Sequence, residues 1–197
     1  MRLLVFSDLH NDTAALAKLM DAEADAYIAA GDSVSWAKGF DRIGELLARR
    51  AGKVWVLPGN HESEADIARL CRAWDLNELH GRTFEAAGFT IAGLGYSNPT
   101  PFNTPGEYAE SEMARRLEAF AGLKPLVLVC HCAPKLTPLD RVREGVHIGS
   151  TAVREFLDRH APAHFVCGHV HEAEGVVCDL GPTRAANAGK RGYLLQL

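Results

Sequence analysis

Leu3-Leu4-Val5-Phe6-Ser7-Asp8-Leu9-His10 is an apolar, partly β-branched run that ends in a polar Asp-x-His block. The same arrangement returns along the chain. Ala26–Ala30 leads into Gly31-Asp32, and Val54-Trp55-Val56-Leu57 into Gly59-Asn60-His61-Glu62. Leu126-Val127-Leu128-Val129 leads into Cys130-His131, and the shorter His164–Cys167 into Gly168-His169-Val170-His171. A sixth block, Asn187-Ala188-Gly189, lies between short β segments. Asp, Asn and His thus recur where strands end and loops begin, which is where open α/β sheets build their sites. One Asp-x-His or Gly-Asp carries little information; the ordered set carries much.

The segments between these blocks define the architecture. Asn11 or Asp12 caps a helix through Thr13–Glu23, with Leu16, Leu19 and Met20 on one face. Helices are also predicted over 40–51 and from about Ser63 to Trp74. This β-α-β-α-β-α order implies a largely parallel sheet. Residues 82–86 and 88–95 read as a hairpin turning at Gly88, Ser97–Tyr108 as a Pro-rich loop and 109–121 as a helix. Residues 125–131 form a strand, 133–148 a long loop, and Gly149-Ser150 opens a helix to about His160. Short β segments near 174–179, 183–187 and 192–197 predict a second sheet rich in antiparallel pairs.

The 197 residues suffice for one domain with a substantial core, and no repeat, low-complexity tract or linker divides residues 1–197. The formal charge is −4, from 21 Lys and Arg against 25 Asp and Glu, with no basic block, so an extended nucleic acid is not expected as a partner. The apolar runs are too short to cross a bilayer. Met1-Arg2 precedes only a short apolar run and makes a poor signal peptide. Five cysteines, an odd number without Cys-x-x-Cys spacing, point to a reducing cytoplasm. Cys130 and Cys132 flank His131, and strand alternation points both away from the face that His131 uses. They read as small buried hydrophobes.

The set Asp8-x-His10, Gly31-Asp32, Gly59-Asn60-His61-Glu62, His131 and Gly168-His169-x-His171 resembles the calcineurin-like metallophosphoesterase superfamily, from residue 3 to about residue 189. The compact size is similar to its small stand-alone prokaryotic members. The resemblance implies a four-layer α-β-β-α sandwich: two facing mixed β-sheets flanked by helices, with a dinuclear metal site at the C-terminal ends of strands. It implies that Asp8, His10 and His171 hold one metal, that Asn60, His131 and His169 hold the other, and that Asp32 bridges both. The donor types suit two divalent transition-metal ions, with Mn first and Fe, Zn or Ni as alternatives. The nucleophile implied is a metal-bridging hydroxide, with His61 as the general acid. A nearby carboxylate, Asp8 or Glu62, would hold His61 charged.

Departures from the pattern shape the expected activity. Protein Ser/Thr phosphatases extend the second block to Gly-Asp-x-x-Asp-Arg-Gly, whereas here it reads Gly31-Asp32-Ser33-Val34-Ser35-Trp36. Without that arginine the block supplies no charged clamp for a dianionic monoester, so a phosphodiesterase is favoured. A small-molecule phosphomonoesterase and a metal-loaded protein-binding scaffold are the alternatives, and the presence of His61 weighs against the scaffold. The expected substrate is a small phosphoester, with cyclic nucleotides suggested by family analogy alone. Trp36 offers an aromatic wall, Asn98 a substrate contact, Asn187 a turn near the metals, and His147 an approach from the 133–148 loop. A bland structural role competes with each of these. An edge strand or the 133–148 loop offers a surface for a dimer, and no residue pattern chooses between dimer and monomer.

Overall fold

The strand-end blocks sit on two stacked sheets in the computed structural model, which describes residues 1–197. The first half alternates β1 (Arg2–Phe6), α1 (Thr13–Asp21), β2 (Ala26–Ala30), α2 (Phe40–Leu47), β3 (Val54–Leu57) and α3 (Glu64–Trp74), ending in the short β4 (Asn77–Glu78). β5 (Arg82–Ala86) and β6 (Phe89–Leu94) form a hairpin, followed by α4 (Glu110–Leu117) and β7 (Leu126–Cys130). Then come β8 (Arg141–Arg143), β9 (Val146–His147), α5 (Thr151–His160), β10 (His164–Cys167), β11 (Val177–Leu180), β12 (Thr183–Asn187) and β13 (Tyr193–Gln196). One sheet runs β13-β1-β2-β3-β4 and the other β11-β12-β10-β7-β6-β5.

Strand alternation sorts the apolar residues into three layers. Leu4, Phe6, Tyr27, Ala29, Val54 and Val56 face α1, α2 and α3. Their neighbours Leu3, Val5, Ile28 and Leu57 point the other way, against Ile91, Val127, Val129 and Val166 of the opposite sheet. Leu128, Cys130, Phe165 and Cys167 face α4 and α5 in the third layer. Strands buried on both faces read as continuous apolar runs, as parallel strands between helical layers must. At one end Trp55 and Phe84 stack across the seam, with ring centroids 4.1 Å apart.

The helix starts follow their capping residues. Asp12 accepts the N–H of Ala15, Ser63 and Asp66 form a reciprocal capping box, and Ser150 accepts the N–H of Val153.

Three expectations are corrected. The second sheet has antiparallel pairs only at its edges, β5–β6 and β11–β12; its interior pairings β6–β7, β7–β10 and β10–β12 are parallel. The crossovers through α4 and α5 enforce this. The last β segment joins the first sheet instead, antiparallel to β1 with Leu3 opposite Leu195. The chain reaches it by a helical turn at Gly189–Arg191 that crosses between the layers. Finally, 133–148 is not plain loop: it holds a turn of 3₁₀ helix at Pro138–Asp140 and the β8–β9 hairpin. Asp140 sits buried at its centre and accepts the N–H groups of Leu136, Thr137 and Gly149.

Candidate metal centre

Each polar block leaves the C-terminal end of a parallel strand: Asp8 and His10 after β1, Asp32 after β2, Asn60 after β3, His131 after β7, His169 and His171 after β10. The strand ends are sewn together by main-chain bonds, Asp8 N–H to Gly31 O (3.1 Å), His10 N–H to Asp32 O (2.9 Å) and Gly168 N–H to His131 O (3.0 Å). Asp8, His10, Asp32 and His169 all hold positive φ, between 45° and 68°. Such a backbone is unusual outside glycine, and it clusters where neighbouring structure over-determines it. Two glycines make the close approach feasible. A Cβ on Gly59 would collide with Asp32 Oδ1, and one on Gly168 with Ser7 Oγ and Asp8 Oδ2.

The side chains converge in two sets. In the first, Asp8, His10 and His171 bring their ligand atoms within 4.8 Å of one another; His10 and His171 Nε2 are 3.2 Å apart, and Asp8 Oδ1 is 3.6 Å from His171 Nε2. In the second, Asp32, His131 and His169 do the same, and Asn60 Oδ1 lies 3.2 Å from His131 Nε2 and 2.9 Å from His169 Nδ1. Asp32 Oδ2 stands between the sets, 3.6 Å from His10 Nε2 and 3.5 Å from His131 Nε2. Separations near 3.3 Å are what adjacent ligands on one tetrahedral ion with bonds of about 2.05 Å would show. This mixture of imidazole, carboxylate and amide oxygen fits divalent transition metals. The seven residues named from sequence are therefore brought together, and His61 joins them in a third group with His10 and Asp32.

Neighbouring groups orient these atoms. His131 Nδ1 donates to Ala30 O at 2.9 Å, which leaves Nε2 toward the centre. Ser7 Oγ donates to Asp8 Oδ2 at 2.6 Å, and the His169 N–H reaches both Asp8 oxygens. Asn60 Nδ2 donates to Thr104 Oγ1 (3.2 Å), whose hydroxyl donates to Glu107 (2.6 Å), so the amide oxygen faces the histidines.

Burial and charge divide the titrating groups. Burial depresses His131, but Asp32, Asp8 and the Ala30 carbonyl together more than offset it and lift the imidazolium to about 9. Burial lowers His169 to about 4, helped by the charge on His131. Asp32 is held well below the carboxylate range: burial raises it, and His131, the His61 N–H and His10 together outweigh burial. Desolvation and then Asp32 raise Glu62, against the N–H groups of Val34 and Gly59, which favour its carboxylate.

Other residues carry roles that sequence left open or missed. No carboxylate partners His61; its Nδ1 accepts the Trp36 N–H at 3.2 Å. Glu62 turns away and accepts three main-chain N–H groups, from Asp32 (3.0 Å), Val34 (3.0 Å) and Gly59 (2.7 Å), clamping the β2 and β3 loops together. Asn187 donates to Gly168 O and Val170 O and so holds the loop that carries His169. A cleft of about 600 Å³ opens from the centre, walled by the Asn98–Phe102 loop on one side and by Lys135, His147 and Ile148 on the other. His147 thus does reach the site's surroundings. The signal for Glu62 was its position two residues after Asn60; nothing local marked Thr104 or Lys135.

Solved structures share this architecture. TT1561 of Thermus thermophilus superposes with a TM-score of 0.72 at 18% identity, over 95% of this chain and 88% of that one. A phosphopantetheinyl hydrolase from Mycobacterium tuberculosis gives a TM-score of 0.63 at 17% identity, over 95% and 88%. At these identities the likeness is one of fold. In sequence, the uncharacterized protein MJ1162 of Methanocaldococcus jannaschii is 31% identical over 202 residues, covering 99% of this chain and 91% of its own. The calcineurin-like phosphoesterase family model matches residues 1–173. Taken with the two sheets and the paired His/Asp clusters at their strand ends, this match establishes that the chain belongs to the calcineurin-like phosphoesterase family.

Proposed function

We propose that this phosphoesterase is a dinuclear, metal-dependent phosphodiesterase acting on small phosphoesters. One observation carries the reading: a single carboxylate oxygen, Asp32 Oδ2, lies 3.6 Å from His10 in one ligand set and 3.5 Å from His131 in the other. Asp8, His10 and His171 would hold one ion, Asn60, His131 and His169 the second, and Asp32 would serve both. Manganese is the first choice, because two carboxylates and an amide oxygen sit beside the imidazoles; Fe, Zn or Ni are the alternatives. When bound, such ions neutralise charge on phosphate oxygens and make water a nucleophile near neutral pH.

The protein's own groups do the rest. Trp36 N–H occupies His61 Nδ1, which leaves the ring proton on Nε2. To act as the acid, His61 takes a proton at Nδ1 in place of the Trp36 contact, and this imidazolium passes its Nε2 proton to the departing alkoxide oxygen, which leaves as an alcohol while a neutral imidazole remains. Diesters are preferred because the second block lacks its arginine and no arginine lines the cleft. A cleft of about 600 Å³ suits an ester arm of nucleotide size. Five free cysteines, four of them buried, fit a reducing cytoplasm as its compartment.

The test is hydrolysis of bis(p-nitrophenyl) phosphate by protein stripped of metal and titrated with Mn²⁺. Turnover that saturates near two ions per chain and exceeds the rate on p-nitrophenyl phosphate is expected. A higher rate on the monoester would replace the diesterase by a phosphomonoesterase. Two bound ions with no turnover on either compound would favour a binding scaffold.

A further inference from the structure

We infer that the cleft beside the metal centre is a subsite for an ester arm that carries both an apolar surface and a second anionic group. The inference rests on the phosphodiesterase reading and adds its substrate class. The cleft is built before any ligand arrives, because its walls are tied together. Asn98 donates to Ile148 O at 3.2 Å and accepts the Cys132 thiol at 3.0 Å, so the Asn98–Phe102 loop is pinned to the far wall.

The apolar part follows from exposure. Phe102 and Ile148 are 70% and 42% exposed, both line this cleft, and Trp36 stands 51% exposed against His61 at its inner end. Of the six exposed large hydrophobics in the chain, Phe102 and Ile148 line this one cleft and Trp36 packs on His61, which lines it too. Isolated exposed apolar residues need no explanation, whereas a set facing one cleft marks a binding surface.

The anionic part follows from which charges are already used. Glu110 lines the cleft, but its carboxylate is taken by Ser150 Oγ (2.7 Å) and by the N–H groups of Thr151 (3.1 Å) and Ala152 (2.8 Å) at the start of α5. Asp140 is wholly buried and engaged by three main-chain N–H groups and by His147 Nδ1 at 2.7 Å. That contact fixes the His147 ring and leaves Nε2 as its unbonded nitrogen. Lys135, two positions after Ala133 on the same wall, brings an exposed ammonium to the cleft that enters none of the chain's ion pairs. An uncommitted cation and a fixed imidazole on one wall, with its carboxylates occupied, are complementary to a phosphate or carboxylate.

A matched pair of substrates tests this: thymidine 5′-(p-nitrophenyl phosphate) and the same diester bearing a 3′-phosphate. The wild-type protein should show a lower KM for the 3′-phosphorylated compound. In Lys135→Ala the ratio of the two KM values should shrink by about fivefold, the scale of one exposed ion pair. His147→Gln, which keeps a donor for Asp140, should shrink it as well. Equal KM values in the wild type would overturn the subsite and leave the diesterase reading intact. If neither diester is hydrolysed the diesterase reading fails, and binding of thymidine 3′,5′-bisphosphate then decides the subsite by calorimetry. Weaker binding to Lys135→Ala supports it; equal affinity, or no binding to either protein, overturns it.

Discussion

His61 differs from His131 in meeting a main-chain N–H, not a main-chain carbonyl, at Nδ1. The proposed general-acid role requires this ring to be protonated at both nitrogens, with the Trp36 contact given up. His61→Ala should retain metal and lose about 10²–10⁴ in rate on alkyl diesters, with a smaller loss on nitrophenyl esters, whose leaving group hardly needs a proton. Equal losses on both leaving groups would remove the general-acid role. Glu62 carries a different burden, with three N–H groups on one fully buried carboxylate. Glu62→Gln turns an amide N–H₂ toward donors and should cost about 1–3 kcal/mol in denaturant unfolding. An unchanged midpoint would show that the loops hold without the clamp. The sequence marked the residues whose donor atoms converge, because their chemistry announces itself at strand ends. It did not mark Thr104, Lys135 or the role of Glu62, whose work depends on which backbone groups lie nearby after folding.

Elements were legible wherever local chemistry set them. Asp12, Ser63 and Ser150 cap helices because each oxygen reaches an N–H two or three residues on, a contact that composition alone announces. Pairing partners were harder, because β10 to β13 are short and their alternation does not say which sheet an edge will join. Helix-to-helix fit was also hidden. Gly44 lies inside α2, where alanine would ordinarily stabilise by about 1 kcal/mol. Here a Cβ would run into the indole of Trp74 on α3. Gly44→Ala should therefore lower the thermal midpoint, as overpacking costs about 1–3 kcal/mol. A raised midpoint would show that Trp74 moves aside freely.

Across the whole molecule, the candidate ligands form one electrostatic unit. With no cation present, the carboxylates around His131 keep it protonated up to about 9, after burial has worked in the opposite direction. A metal ion must displace that proton, and also what His171 holds because Asp8 raises it, so binding at pH 7 should release about one to two protons per chain. Affinity should climb with pH and level off near 9. Calorimetry in buffers of different ionisation enthalpy measures the release, and a heat independent of buffer would refute it. The global design was readable only through the resemblance of ordered blocks; no single segment specifies two sheets.

Asp8, His10, Asp32 and Asn60 hang from one sheet, and His131, His169 and His171 from the other. Neither half of the chain owns a complete set. Metal capture by the full set during refolding would thus time the docking of the two sheets: it cannot precede their meeting, and once made it rivets one layer to the other, beside the His131–Ala30 and His169–Asp8 bonds, across a seam whose interior is apolar.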